Sequence, residues 1–105
     1  MIMKNGEEHD FFIRSRELIQ ELLDQNSSNL ELDSKAAVQH YIDHDEYEMA
    51  FEGLFVDLMK LGKAISPKKP SAYIELGRKF GLDEDSAFDA NFWGKFVYFM
   101  TVSKN

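Results

Sequence analysis

Two histidines and a group of carboxylates in the middle of the chain have the residue types of a metal site. The histidines stand four residues apart, and the group consists of His40, Asp43, His44, Asp45 and Glu48. One continuous helix would bring both imidazoles and a carboxylate within reach of a divalent cation. The order is not His-Glu-x-x-His, however, and the acidic residues favour a helix break between the histidines. We therefore expect a solvated helix junction here, with no metal and no cofactor.

Glu48 and Glu52 form a second pair with a spacing that suits chemistry. Two carboxylates at i, i+4 share one helix face, and general acid/base catalysis often uses such pairs. Catalysis also requires a pocket that gives the two groups different environments, and no pocket-forming motif accompanies them. The chain has no cysteine, no glycine-rich phosphate loop and no Gly-x-Ser-x-Gly elbow. These absences predict a protein that is not an enzyme and has no catalytic residues.

A basic stretch in the second half of the chain has the residue types of a nucleic-acid contact. It consists of Lys60, Lys63, Lys68, Lys69, Arg78 and Lys79, beside Tyr73 and Phe80. The net charge of the whole chain is −7, which disfavours binding to nucleic acid or to an anionic membrane. We interpret these cations as solvating a loop and a helix end, and expect no direct contact with nucleic acid or membrane.

Negative charge is concentrated in the first half of the chain. Residues 1–57 contain 14 Asp and Glu against 4 Lys and Arg, whereas residues 58–105 contain 5 against 8. The halves therefore carry −10 and +3, and no Lys or Arg stands between Lys35 and Lys60. Such polarity affects association more than it affects the fold, and it favours encounter with a basic partner.

Apolar and acidic side chains alternate along one side of the helix predicted after residue 43. At about 100° per residue, Met49, Val56 and Met59 fall outside the arc that faces the core. Either neighbouring helices cover this side, or it binds a partner through adaptable methionines and a charged rim. We call the second possibility the predicted binding strip, which consists of Asp43, Asp45, Glu48, Met49, Glu52, Val56, Asp57 and Met59.

Helical periodicity predicts the elements that position these residues. The first helix spans about 8–25, with Phe11, Phe12, Ser15, Leu18, Ile19, Leu22 and Leu23 on its apolar stripe. A short helix follows to about Ile42, and a third continues from the acids at 43–46 to about Lys63. The core arc of this third helix contains Tyr47, Ala50, Phe51, Leu54, Phe55, Leu58 and Leu61.

Two further helices are predicted in the second half. A break at 66–70 precedes a helix from about Pro70 to Phe80, which a glycine cap at Gly81 and Leu82 ends. The last helix is expected from about Asp85 to Val102. An aromatic wall covers its inner side, formed by Phe88, Phe92, Trp93, Phe96, Val97, Phe99 and Met100.

Composition and patterning predict an all-α fold, a compact bundle of about five helices. A chain of 105 residues with 44% hydrophobic content fits a single domain over 1–105, and no strand alternation or hairpin signal is present. The N-terminus lacks the apolar core of a signal peptide, and no apolar run approaches the ~20 residues that span a bilayer. We therefore expect a cytoplasmic protein.

One segment carries a family resemblance. The run from His44 to Leu54 resembles the motif of small bacterial immunity proteins of the MafI type, which are related in role to contact-dependent growth inhibition immunity proteins. The matching spacing is His-x-Glu-x-x-x-Ala-x-Glu-x-Leu, and the similarity extends from about Val38 to Met100. The resemblance implies a protein that binds and neutralises the toxic C-terminal domain of a polymorphic toxin and protects the producing cell.

Many toxins of this kind are nucleases with basic clefts, so the expected partner is a basic toxin domain that an acidic helical face covers. Two alternatives stay open. The first is a non-enzymatic helical adaptor or regulator, a homodimer that buries the strip from Met49 to Met59 or the edge of the wall from Phe92 to Met100. The second is a metal-dependent enzyme that uses His40, His44 and Glu48.

Overall fold

The computed structural model of the protein describes residues 5–61, 70–84 and 90–102. Five helices follow one another within them: α1 (Asn5–Gln25), α2 (Leu32–Asp43), α3 (Tyr47–Leu61), α4 (Pro70–Lys79) and α5 (Phe92–Val102). These ranges contain no strand, and the prediction of a compact all-α bundle is confirmed. Residues 66–69 of the predicted break, the lysines at 63, 68 and 69, and Phe88 lie outside the described residues.

Helix bounds differ most from the prediction at α5. Residues 90 and 91 form a turn, and the Asn91 carbonyl oxygen accepts the Lys95 N–H at 3.4 Å. Helix α5 therefore begins at Phe92. The predicted start at Asp85 lies outside the described residues, and the turn at 90 and 91 excludes one continuous helix from Asp85 to Val102. The error arose because an acidic run resembles a helix start, whereas the residue before the observed start is an asparagine, which is equally suited to that position.

Two helix ends use the same backbone motif. At the end of α4, Leu82 N–H donates to the Gly77 carbonyl at 3.0 Å, and Gly81 N–H donates to the Arg78 carbonyl at 2.9 Å. Gly81 has a φ of 81°, and Leu82 is buried, so the predicted glycine cap is confirmed. At the end of α2 the corresponding pair of bonds surrounds Asp45, which has a φ of 59°.

Helix α3 lies at the centre of the bundle and contacts α1, α2 and α5. Its predicted core arc is buried from Tyr47 to Leu58, whereas Leu61 is 38% exposed at the end of the helix. Phe96 of α5 packs edge-on against Phe51 and Phe55, with ring centroids 5.5 and 4.8 Å away. The aromatic wall of α5 therefore closes the core over α3.

Helix α4 packs very closely against α5 at a glycine. A Cβ atom on Gly77 would lie 2.8 Å from Cζ3 of Trp93 and 3.3 Å from Cε1 of Phe51. Those distances are shorter than ordinary carbon–carbon contact, so the indole ring occupies the space that a side chain at position 77 would need. The absence of a side chain at Gly77 is therefore what lets Trp93 reach the helix.

Among the described residues, no helix combines the length and the apolarity needed to cross a lipid bilayer.

Candidate protein-binding site

The predicted binding strip does not form one continuous surface. Its carboxylates at the α2–α3 junction, Asp43, Asp45 and Glu48, are exposed, and Met49 beside them is half-buried. Further along α3, its remaining members are half-buried or buried, and Val56 and Met59 pack against the core. The exposed, acidic half of the strip thus lies at the start of α3, where the chain turns from one helix into the next.

Glu52 departs most from the prediction. It was expected on an exposed charged rim, but it is 0% exposed. Helix α3 is covered on several sides, because α1, α2 and α5 all contact it. The exposure predicted for Glu52 is wrong. A helical wheel places a residue relative to the apolar arc of its own helix, but it does not show how many neighbouring helices cover that helix. In this fold Glu52 cannot touch a partner at the surface.

The junction itself is a short turn built around Asp45. Glu46 N–H donates to the Tyr41 carbonyl at 2.8 Å, and Asp45 N–H donates to the Ile42 carbonyl at 3.1 Å. The Glu46 carbonyl then accepts the Ala50 N–H at 3.0 Å, which is the first bond of α3. This turn holds the carboxylates of the junction at the positive end of the α3 dipole, where negative charge is stabilised.

Tyr47 ties the junction to the core. Its hydroxyl donates to Oδ1 of Asp45 at 3.0 Å, and its ring is buried. Burial raises the pKa of Tyr47, and the hydrogen bond to Asp45 raises it further. The hydroxyl therefore keeps its proton at neutral pH and continues to orient the Asp45 carboxylate.

A row of aromatic rings runs from this junction into the protein. The centroids of Tyr47 and Phe12 are 6.0 Å apart, those of Phe12 and Phe11 6.1 Å, and those of Phe11 and Phe80 5.5 Å. Phe80 in turn packs edge-on against the buried Phe51, with centroids 5.7 Å apart. The most exposed ring of the row is Phe12, which is 49% exposed.

These rings form the floor of an open groove between α1, the start of α3 and the end of α4. The groove has a volume of about 320 Å³, and we call it the Phe12 groove. Among the residues that the structure describes, all of the charged ones that line it are acidic. The lining consists of Phe11, Phe12, Asp45, Glu46, Tyr47, Glu48, Met49 and Phe80.

Sequence reasoning placed Phe11 and Phe12 together on the buried stripe of α1, and for Phe12 this is wrong. A signal was present, because two consecutive helical residues point about 100° apart and cannot both face the centre of one core. Phe11 is half-buried and packs against the core, whereas Phe12 is left at the edge. The groove joins residues from three helices, so periodicity within any one of them does not reveal it.

The histidine pair lies at the other side of the junction. The His40 and His44 rings are 4.1 Å apart between centroids, and Nδ1 of His44 donates to the His40 carbonyl at 2.8 Å. Asp43 accepts a hydrogen bond of 3.0 Å from Gln39. The side-chain amides of Gln39 and Gln20 of α1 form two hydrogen bonds with each other, of 2.8 and 2.9 Å. Among the side chains that the structure describes, no three His, Asp or Glu come together as a metal ion requires.

Comparisons with family models, with curated proteins and with solved structures gave no match. The family resemblance of the segment from His44 to Leu54 therefore stays a prediction from the motif. The surface chemistry of the α2–α3 junction is the structural basis on which a function can be argued.

Proposed function

We propose that this protein is a non-catalytic immunity protein of the cytoplasm, which neutralises a cognate toxin domain by binding it through the α2–α3 junction. The observation that carries this proposal is an open aromatic groove bordered by exposed carboxylates, with no Lys or Arg among the described residues that line it. Exposed aromatic rings with a charged rim are typical of protein-binding surfaces. The expected partner is a basic domain, such as that of a nuclease.

Charge supports this assignment through the kinetics of encounter. Helices α1 and α2 and most of α3 lie in the half of the chain that carries −10, and the junction places Asp43, Asp45, Glu46 and Glu48 at the surface. Fields of this kind raise association rates by about 10- to 1,000-fold when the partner carries the opposite charge. Fast capture suits an inhibitor that must reach a toxin before the toxin reaches its substrate.

The motif is the only support for a toxin as the partner. Some of its residues are buried and others are exposed. Ala50, Glu52 and Leu54 are buried in α3, while Glu46 supplies the carbonyl at which α3 begins. These members therefore shape and pack the helix. Only the first half of the motif, from His44 to Glu48, contributes exposed side chains to the proposed interface.

The test is to pair this protein with the domain encoded immediately upstream of its gene. Expression of that domain alone is expected to arrest bacterial growth, and co-expression with this protein should restore growth and yield a complex that survives gel filtration. A toxic neighbour that this protein neither binds nor neutralises would refute the proposal. A neighbour with no toxic effect and no binding would refute it equally.

A homodimeric adaptor is the second candidate, and one exposed ring favours it. Tyr98 of α5 is 72% exposed and stands in the chain between Val97 and Phe99 of the aromatic wall. Val56 and Met59, the other proposed dimer surface, already pack against the core. Sedimentation over a range of concentrations tests this candidate: a dimer that Tyr98→Asp dissociates would support it, and a monomer at all concentrations would exclude it.

A further inference from the structure

We propose that the Phe12 groove receives a lysine or arginine side chain from a basic segment of the partner protein, and that Phe12 anchors this contact. The inference rests on the proposed function, because it takes the partner to be a basic protein. It adds the location of the contact and the chemical class of the side chain that fills it. The anchor lies on α1, outside the predicted binding strip.

The groove is large enough for a long side chain. Its volume of about 320 Å³ is many times the roughly 10–15 Å³ that one water molecule needs. Phe12, which is 49% exposed, lines this space, and Met49 adds an adaptable apolar wall. The methylene stem of a lysine or arginine can pack on these apolar surfaces while its charged head reaches the rim.

The charges of the groove select the sign of the occupant. Asp45, Glu46 and Glu48 contribute three negative charges, whereas the start of α3 contributes only about half a positive charge. An acidic occupant would meet repulsion from all three carboxylates. A purely apolar occupant would remove these carboxylates from water without giving them a partner, which is costly. A cation satisfies both the aromatic floor and the acidic rim.

The protein's own side chains show that an ammonium group fits against this row of rings. Nζ of Lys79 lies 5.7 Å from the centroid of the Phe11 ring, and Glu75 pairs with the same nitrogen at 3.4 Å. This internal arrangement combines a ring and a carboxylate around one cation. Phe12, the next ring of the row, has carboxylates nearby in the same groove.

The other side of Phe12 limits where the cation can lie. A neighbouring depression is lined by Phe12, Ile13, Arg16, Asp45 and Tyr47, so a side chain that carries a guanidinium borders the space on that side of Phe12. Arg16 repels an incoming cation from that side. The partner's side chain is therefore directed towards Glu46 and Glu48, across the exposed face of Phe12.

The experiment uses the full chain and two ligands. The first is the basic peptide acetyl-Gly-Arg-Leu-Lys-Gly-amide, titrated to millimolar concentration in an NMR experiment with the charge-reversed peptide acetyl-Gly-Glu-Leu-Asp-Gly-amide as control. The second is the toxin domain of the neighbouring gene, with affinity measured by surface plasmon resonance. We expect the basic peptide alone to shift the amide signals of residues 12 and 45–49.

Matched variants separate the groove from the rest of the surface. Phe12→Ala should weaken binding of both ligands by about 10- to 30-fold, as expected for an aromatic anchor. Ile13→Ala removes a side chain of similar exposure on the same helix that does not line the groove, and it should change affinity less than about twofold. Glu48→Gln should weaken binding, whereas Glu17→Gln, an exposed carboxylate of α1 outside the groove, should not.

The outcomes distinguish this inference from the proposed function. Strong toxin binding that Phe12→Ala leaves unchanged would overturn the groove assignment while the immunity role stands. Peptide shifts confined to residues 12 and 45–49, without any binding of the toxin, would support the groove and refute the immunity role. No peptide shift at the groove, or equal losses in Phe12→Ala and Ile13→Ala, would overturn the inference. Thermal unfolding of each variant confirms that it is folded.

Discussion

At the α2–α3 junction an aspartate has the backbone conformation that glycine has at the end of α4. Asp45 has a φ of 59°, in the left-handed region that costs most L-residues about 1–2 kcal/mol. Asparagine and aspartate tolerate this region best among residues with a side chain. The carboxylate also accepts the Tyr47 hydroxyl, so this residue sets both the turn and the rim of the groove.

The first prediction concerns this residue. Asp45→Asn retains an oxygen acceptor and tolerates the turn, so it should change the free energy of unfolding by less than about 0.5 kcal/mol. Asp45→Ala loses both features and should destabilise the protein by about 1–2 kcal/mol. Asp45→Gly, which relieves the backbone but loses the acceptor, should lie between them. Urea unfolding measures the order, and an alanine variant as stable as the asparagine variant would contradict the explanation.

A second prediction concerns Tyr73, whose ring is buried in the core. Burial raises the pKa of Tyr73 from 10.0 to about 12, with a smaller contribution from Glu21. Its hydroxyl also donates to the Leu18 carbonyl at 3.3 Å. The folded state disfavours the phenolate, so the protonated hydroxyl of Tyr73 contributes to the stability of the folded protein. This contribution is complete below pH 10.0 and is lost as pH rises towards 12.

The loss should amount to about 2–3 kcal/mol, measured as the change in unfolding free energy with pH. Tyr73→Phe should remove the contribution of Tyr73 to this alkaline loss of stability and leave that of Tyr47. The variant also loses the hydrogen bond to the Leu18 carbonyl. An identical alkaline decline in both proteins would show that Tyr73 does not titrate with folding.

Residue types indicated the chemistry of the junction but not its full geometry. The acids at 43–46 predicted a helix start, and α3 does begin beside them. That Asp45 ends α2 in a left-handed turn depends on how closely the two helices approach, which no local pattern records. Phe12 shows the same limit, since the apolar stripe of α1 was predicted to bury both Phe11 and Phe12, whereas Phe12 is 49% exposed.

At the scale of elements, two helical glycines make opposite predictions for the same substitution. Gly77→Ala adds a methyl group into the space held by Trp93, so it should destabilise the protein by about 1–3 kcal/mol. Gly94→Ala meets nothing within 4 Å in α5 and should stabilise it by up to about 1 kcal/mol. Thermal unfolding of both variants compares the effects directly. Equal gains from the two changes would show that α4 and α5 do not pack as described.

Helix existence was predictable because each element buries one stripe, and periodicity reveals such stripes. The glycine cap of α4 was predictable because Gly81 followed by Leu82 is a local signal. The fate of Glu52 was not predictable in this way. Its burial depends on how many helices surround α3, which is a property of the assembled bundle.

At the scale of the whole molecule, the polarity of charge predicts salt-dependent binding. The radius of gyration is 13.1 Å, and the Debye length at physiological salt is about 8 Å. The acidic surface therefore lies within a few Debye lengths of every other part of the molecule. Raising the salt concentration should slow association with a basic partner and leave dissociation nearly unchanged. Glu48→Lys should slow association further.

Stopped-flow mixing over a range of salt concentrations measures both rates. An association rate that is independent of salt would mean that the acidic surface does not guide the encounter. Glu52→Lys is unsuitable for this measurement, because a charge reversal at a buried position would disturb the core.

The contact between Gly77 and Trp93 also constrains how this sequence can diverge in evolution. Any side chain acquired at position 77 collides with the indole. The two helices can then keep their close packing only if a smaller residue replaces Trp93. The two positions should therefore covary, with glycine opposite the large ring and a larger residue opposite a small one. Such a pair would mark descendants of this fold even after the acidic surface had been remodelled for a different partner.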